Sequence, residues 1–147
     1  MTKGEGILTS IFHDYHPWKG QIPGRSKGVL ISQTQGKATP YAMFNLQDRG
    51  TIFVVPTQEV YEGMIVGEHS RDNDLIVNIT REKQLTNIRA SGSDENVILT
   101  PPRKFTLEQA IDFIQDDELI EVTPSSIRLR KRYLKEHERK KASREGV

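Results

Sequence analysis

Cysteine is absent from all 147 residues of the chain. Its absence excludes disulfide bonds, thiol catalysis and cysteine-ligated zinc. No apolar run approaches the roughly 20 residues that a membrane-spanning helix requires, and the N-terminus lacks the apolar region of a signal peptide. We therefore expect an intracellular, cytoplasmic protein that folds without disulfide bonds.

A phosphate-binding loop is also missing. The stretch 20–28 is rich in glycine and basic residues, as a phosphate-cradling loop would be. Walker-type spacing, however, requires a second glycine five residues after the first. Counted from Gly20, that position is Arg25. The chain is therefore not expected to hydrolyse a nucleotide.

The length and composition describe an ordinary folded domain with a polar surface. A chain of 147 residues corresponds to one domain, or to one domain with appendages. Hydrophobic residues make up 35% and charged residues 28%. The hydrophobic share is low, so we expect much of the chain to face solvent or a polar partner.

The net charge of +1 conceals a marked asymmetry along the chain. Residues 128–147 contain nine basic and three acidic side chains, whereas 108–121 contains six acidic side chains and no basic one. A basic segment of this kind is typical of contact with nucleic acid, and the alternative is a solvated terminal helix. The acidic residues that follow Gln115 oppose the dipole of the preceding helix, which predicts a basic partner nearby.

Short strands punctuated by glycine or proline predict a mostly antiparallel sheet between Val29 and Leu99, rejoined near 96–99. Thr39 before Pro40 fits either a returning strand or a helix N-cap with proline at the first position. The segment 106–109 has the pattern of a capping box, and we predict a helix over 107–115. Residues 119–123 are predicted to form a strand.

The last part of the chain leaves two alternatives open. Residues 125–134 follow the capping pair Thr123-Pro124, yet Ile127, Leu129 and Tyr133 alternate as they would in a strand. From Lys135 onward there is almost no apolar residue, which indicates either a frayed helix or a flexible basic tail.

The segment 67–95 is the longest polar stretch between the two apolar halves of the chain. A packed core has no use for so many hydrogen-bonding groups, because each would need a buried partner. We interpret the segment as a long presented loop. Arginine and lysine contact phosphates, while asparagine and serine reach sugars and base edges, so shape-specific RNA contact is expected. The polar side chains concerned include Arg71, Asn73, Lys83, Asn87, Arg89, Ser91 and Ser93.

Two other classes of function are weighed against RNA binding. Glu68, His69, Asp72 and Asp74 could form a small metal-dependent hydrolase centre, although the spacing fails the calcium-loop pattern. The acidic stretch 108–121 could instead serve a protein-interaction module.

Several strings of this sequence resemble the C-terminal domain of the TypA/BipA family. The most specific is the continuous stretch from Val60 to Leu75, VYEGMIVGEHSRDNDL. Shorter matches are GVLIS from Gly28, NLQDRG from Asn45 and TPPR from Thr100. The capping-box helix and the segments EVTP and SIRLRKRYL before residue 135 also agree, so the resemblance covers nearly the whole chain.

Members of that family are translational GTPases that bind the ribosome and are linked to ribosome assembly and stress adaptation. The resemblance implies that this chain is a fragment without the GTPase and barrel domains. Binding of GTP and Mg²⁺ is then expected only in the missing GTPase domain, with no cofactor in this fragment. In the family, a long loop of this domain reaches the peptidyl-transferase region and the acceptor end of the A-site tRNA. Matched by motif, it falls within 68–95 here and carries Arg71, Asn73, Lys83, Asn87 and Arg89.

The resulting prediction is an α+β fold, a mostly antiparallel sheet or partial barrel with one or two helices and a long presented loop. Residues 1–22 are assigned to the last strand of a preceding α/β domain and a linker, 23–134 to the family's C-terminal domain, and 135–147 to a flexible basic tail. The expected partners are large-subunit rRNA and tRNA, with no membrane, no DNA and a monomeric state. Besides the loop residues, the predicted RNA-binding residues are Arg128, Arg130, Lys131 and Arg132.

Overall fold

The fold is an open sheet with one helix against each face, seen in a computed structural model that describes residues 11–17, 24–83 and 98–146. Within those ranges there are three α-helices and eight strands. The strands are β1 (Val29–Ser32), β2 (Gly36–Lys37), β3 (Gly50–Ile52), β4 (Glu59–Val60), β5 (Met64–His69), β6 (Leu75–Val77), β7 (Glu118–Val122) and β8 (Ile127–Lys131). The helices are α1 (Pro40–Leu46), followed by a 3-10 turn (Gln47–Arg49), α2 (Leu107–Phe113) and α3 (Glu136–Glu145).

Strand β5 is the centre of the main sheet, whose order is β6-β1-β5-β8-β7. One edge of β5 pairs with β1, and the other edge is shared by β8 at its start and β3 at its end. Every pairing is antiparallel except that of β1 with β6. The sheet does not close into a barrel, and β2 and β4 form a separate two-stranded sheet.

The two faces of the main sheet carry two hydrophobic cores. Alternate residues of β5 divide between them, because successive side chains of a strand point to opposite faces: Met64 belongs to the core that α1 covers, and Ile65 to the core that α2 covers. All of β1 is buried for the same reason. Strands buried on both faces have continuous apolar sequences, which is why β1 and the first half of β5 lack a polar alternation.

Local capping explains where α1 and α2 begin. Thr39 caps α1 by accepting a hydrogen bond from the Ala42 amide, with Pro40 at the first helical position. At α2, both bonds of the predicted capping box between Thr106 and Gln109 are present. The helix predicted over 107–115 is confirmed in kind but ends at Phe113.

Several expectations for the sheet are corrected by the structure. The sheet does not end near Leu99, because β7 and β8 form its other side, and 98–100 is not a strand. Of the two alternatives for 125–134, the structure has the strand, over 127–131. This strand lies beside β5, and from there Leu129 packs into the core that α2 covers. The described ranges hold three α-helices where one or two were predicted, and of the two alternatives offered for the terminal segment, 136–145 is a helix. The strand assigned to residues 1–22 lies largely outside the described residues.

The predicted loop over 67–95 is shorter than expected. Residues up to His69 belong to β5, and residues 75–77 form β6, which lies beside β1. The physical reason is that the side chain of Val77 packs into one core and that of Ile76 against the other. In the sequence these two apolar residues lie within a mostly polar segment. Within the described part of the segment, 70–74 is a tight turn and 78–83 is a connection without strand structure, exposed except for Ile79, which is buried in the core that α1 covers, and the half-buried Thr80.

Candidate nucleic-acid interface

The turn 70–74, between β5 and β6, is fixed to the beginning of β1. The Gly28 amide donates to the Arg71 carbonyl oxygen at 2.8 Å, and the His69 amide donates to the Gly28 carbonyl oxygen at 2.9 Å. The Val29 amide donates to the Asp74 side chain at 3.0 Å. These bonds hold the backbone of the turn and the Asp74 side chain against the sheet, while the side chains of Arg71 and Asn73 are exposed.

Gly28 and His69 make this close approach possible. A Cβ atom on Gly28 would lie 2.1 Å from the Asn73 carbonyl oxygen, so no other residue fits there without moving the turn. That same oxygen is contacted by Nδ1 of His69, whose side chain is buried. The buried His69 side chain therefore helps to hold the backbone of the turn in place.

The structure places three of the predicted loop residues at the surface. Arg71 and Asn73 are exposed on the turn, and Lys83 is exposed at the end of the connection that follows β6. Asn87, Arg89, Ser91 and Ser93 lie outside the described residues. These three residues therefore offer one guanidinium, one amide and one ammonium group to solvent.

The basic residues in and just after β8 lie on different faces of the sheet, because successive side chains of a strand alternate. Arg128 and Arg130 are half-buried on the face that carries Met64, and Arg130 pairs in register with that residue. Arg132 follows the strand and is exposed. Lys131 points to the opposite face and is 1% exposed.

Lys131 is held by a cluster of carboxylates. Its Nζ atom lies 2.7 Å from Asp74 Oδ2, 2.8 Å from Asp117 Oδ2 and 3.1 Å from Glu118 Oε1. Burial alone would lower the pKa of Lys131, but the hydrogen bonds to Asp117 and Asp74 and the charge of Glu118 outweigh it and raise the pKa. All three donors of the ammonium are used inside the protein, so we leave Lys131 out of the RNA-binding surface.

Glu118 joins this cluster to the segment before β1. Its carboxylate is bidentate with the Arg25 guanidinium, at 2.9 and 2.5 Å, and Arg25 also donates to the Phe113 carbonyl oxygen at the end of α2. The predicted basic partner after Gln115 is thereby confirmed: two cations, Arg25 and Lys131, meet the acidic residues there. From the sequence, Arg25 was considered only as part of a possible phosphate-binding loop. The excess of acidic residues over 108–121 was the signal that could have indicated its role as an ion-pair partner.

The acidic stretch 108–121 is consequently not one free acidic face. Glu118 is buried in the cluster, and Glu121 accepts a hydrogen bond from the Tyr61 hydroxyl at 2.5 Å. Burial, the hydrogen bond to Glu121 and its negative charge raise the pKa of the Tyr61 phenol. Asp117 is exposed but paired with Lys131, so the exposed carboxylates outside these contacts are those of Glu108, Asp112 and Asp116.

The hydrolase alternative finds no support in this geometry. His69 is used by the turn, and Asp74 is shared between the Val29 amide and Lys131. Within residues 11–17, 24–83 and 98–146, no group of three or more histidine, aspartate or glutamate side chains is placed to hold a metal ion. No helix in the described ranges is long and apolar enough to cross a bilayer.

The fold and the site define a small α+β domain that holds an exposed polar turn in a fixed conformation at one end of its sheet. Comparison with known proteins assigns its family. The family model for the TypA/BipA C-terminal domain matches residues 27–136. The chain belongs to this family.

Close relatives agree with the assignment. The chain is 57% identical over 98% of its length to a protein of Salmonella typhimurium, and 57% identical over 98% to one of Haemophilus influenzae. It is 56% identical over 99% to one of Buchnera aphidicola. Each of the three is named large ribosomal subunit assembly factor BipA. The chain spans 24% of the length of each of these relatives.

Proposed function

We propose that this domain binds the large ribosomal subunit by contacting RNA, with Arg71 and Asn73 on the turn 70–74 and Lys83 beyond β6 as its contacts. Family membership supports the proposal, because the relatives are named as assembly factors of that subunit. The geometry of the turn supports the choice of residues. The proposal concerns this domain and not the activity of the full-length relatives, because the chain spans only 24% of their length.

The observation that carries the proposal is the fixed backbone of the turn. Its carbonyl groups at Arg71 and Asn73 are bonded to Gly28 and His69, while both side chains are exposed. An arginine presented in this way can bind a phosphate with two parallel hydrogen bonds, and asparagine can both donate to and accept from a base edge or sugar. A turn held in place loses less conformational freedom on binding.

In finer detail, we propose that the segment 68–95 contacts rRNA and the acceptor end of an A-site tRNA. Lys83 is exposed where the chain leaves the described region toward Asn87, Arg89, Ser91 and Ser93, which are retained as proposed contacts. A second basic surface is proposed on β8, with Arg128, Arg130 and Arg132. It extends the electrostatic contact with phosphates that a mixed-charge loop cannot provide alone.

The domain is proposed to act as a binding module and not as an enzyme. GTP and Mg²⁺ are proposed to bind in a part of the relatives that this chain does not span. We propose that the domain is a monomer and that it works in the cytoplasm, where ribosomes are assembled.

The test is sedimentation of the purified chain with isolated large ribosomal subunits over a range of salt concentrations. Arg71→Ala combined with Lys83→Ala removes two exposed cations from the proposed surface. We expect weaker binding and a salt slope lower by about two, because two phosphate contacts are lost. The matched control is Lys37→Ala combined with Lys104→Ala, which removes two exposed cations elsewhere. Equal effects of the two pairs, or no co-sedimentation of the unmodified chain, would refute the proposal.

A further inference from the structure

Helix α2 carries apolar side chains on its solvent side as well as on its buried side. Leu107 and Ile111 are 42% and 56% exposed, and they are neighbours on the helix surface because they are four positions apart. Ala110 and Phe113, on the inner side of the same helix, are buried in the core that α2 covers. A surface helix normally has polar residues opposite its buried stripe. Helix α2 departs from this pattern.

Carboxylates lie beside the exposed apolar pair. Glu108 and Asp112 are exposed and also four positions apart, so they form a second row along the solvent side of α2. Asp116 is exposed just beyond the helix. In the part of the chain that the structure describes, these three carboxylates form no ion pair. Since Lys104 is the single basic residue from 104 to 116, the charge of this stretch is negative. We call the surface of Leu107, Glu108, Ile111 and Asp112 the outer face of α2.

The outer face lowers the stability of the helix that carries it. Glu108 and Asp112 are like charges four positions apart, an arrangement that destabilises a helix. Asp112 also lies in the last turn, where no basic residue is present and a negative charge opposes the helix dipole. Isoleucine, exposed at Ile111, has a lower helix propensity than alanine, lysine or glutamate. Local rules that are broken together without a gain for the fold are expected at functional sites.

We propose that the outer face of α2 binds a basic amphipathic segment of another protein. Apolar side chains of that segment would pack against Leu107 and Ile111, and its lysine or arginine residues would lie beside Glu108 and Asp112. Apolar anchors four positions apart are the usual spacing at which helices are recognised by other proteins. The negative charge favours a cationic partner and repels the phosphates of RNA and of anionic membranes. The proposal goes beyond the RNA contact proposed for the turn 70–74, because it uses other residues and another class of partner.

The experiment measures fluorescence anisotropy of a short labelled peptide, built from leucine and lysine at helical spacing, titrated with the full chain. Two matched peptides separate the apolar contribution from the charge: one has serine at every leucine position, and the other has glutamate at every lysine position. We expect the leucine–lysine peptide to bind more tightly than either, because only this peptide has both apolar anchors and positive charge. Its affinity should fall as salt is raised, since exposed charges are screened.

Two double variants of the full chain test the outer face itself. Leu107→Gln combined with Ile111→Gln should weaken binding of the leucine–lysine peptide about tenfold, because two partly buried apolar contacts are lost. Glu108→Gln combined with Asp112→Asn should weaken it about two- to fivefold and reduce its salt dependence. Ile111→Gln alone changes the more exposed apolar position and provides the same test if the first double variant does not fold.

Matched controls remove the same kinds of side chain elsewhere. Val122→Gln replaces an exposed apolar residue of β7, and Asp48→Asn combined with Glu59→Gln removes two exposed carboxylates. Both should stay within about twofold of the unmodified chain, as is usual for surface substitutions away from a contact.

Equal affinity of the unmodified chain and the glutamine variants for the leucine–lysine peptide would overturn the proposal. A serine–lysine peptide that binds as tightly would overturn it too, because the attraction would then be charge alone. If Ile111→Gln weakens binding of a labelled octauridine, or dissociates a dimer seen by light scattering, the face belongs to RNA or to a second copy and the proposal is wrong. Sedimentation with large ribosomal subunits tests Arg71 and Lys83 separately, so either proposal can fail without the other.

Discussion

Glu118 and Lys131 lie opposite each other on β7 and β8, with Oε1 and Nζ 3.1 Å apart and both side chains buried. Arg25 reaches the same carboxylate from the segment before β1. Asp74 reaches the same ammonium from the turn 70–74. One ion cluster therefore connects the proposed RNA-contacting turn to β7 at the far edge of the sheet and to the segment before β1.

The cluster predicts a large loss of stability for Glu118→Gln. The amide removes the negative charge that both Arg25 and Lys131 require, and breaking a buried pair leaves a cation without compensation. We expect the free energy of unfolding, measured by urea denaturation at neutral pH, to fall by about 3 kcal/mol.

Asp116→Asn is the matched control, since Asp116 is exposed only two residues away. It should change the free energy of unfolding by no more than about 0.5 kcal/mol. Similar values for the two variants would mean that the buried cluster adds nothing to the stability of the fold.

The raised pKa of Lys131 predicts a loss of stability at alkaline pH. A group whose pKa is higher in the folded state stabilises the fold fully below its unfolded pKa, here the ordinary value of 10.5, and this contribution is lost as pH rises through the folded value. In Lys131→Met, the free energy of unfolding should be lower than that of the unmodified chain at neutral pH. The difference should shrink only when the pH exceeds the ordinary value. A difference that shrinks already between about pH 7 and pH 9 would contradict the assignment.

The contact of Gly28 with Asn73 predicts that Gly28→Ala disturbs the turn. The added Cβ atom would lie 2.1 Å from a backbone oxygen, so the turn must move. We expect a loss of about 1–3 kcal/mol in the free energy of unfolding, which is typical of overpacking. Amide chemical shifts should change over residues 69–74.

Gly24→Ala is the control for this substitution, because a Cβ atom there meets nothing within 4 Å. If the Gly28 and Gly24 variants unfold at the same urea concentration and the shifts of 69–74 stay unchanged, the close approach does not fix the turn.

Features that depend on short stretches of sequence could be predicted. The capping box of α2 is read from adjacent residues, because the bonds that form it span only three positions. At Thr39-Pro40 the sequence left a strand and a helix open, and the structure has the helix. The burial of Val29, Leu30 and Ile31 in β1 follows from their unbroken apolar sequence. The family resemblance rested on long motif strings and was confirmed by the family model.

Features that depend on distant pairings could not be predicted. The run His69 to Asp74 has the composition of a loop, and nothing local shows that Leu75 to Val77 continue as a strand beside β1. In the same way, Lys131 has the sequence context of an exposed basic tail. Only β7, folding back beside β8, brings Glu118 to it.

The sequence alone determined the capping box of α2, the apolar strands at the centre of the sheet and the family to which the chain belongs. All of these are set by side chains a few positions apart or by continuous motif strings. The tertiary structure decided which polar groups are exposed to solvent and which are paired inside the protein. Arg71 and Lys131 look equally free in the sequence, but the first lies on a turn in solvent and the second is enclosed by three carboxylates from other segments. A charge can be buried only where the fold supplies its partners, and those partners are 13 to 57 positions away along the chain.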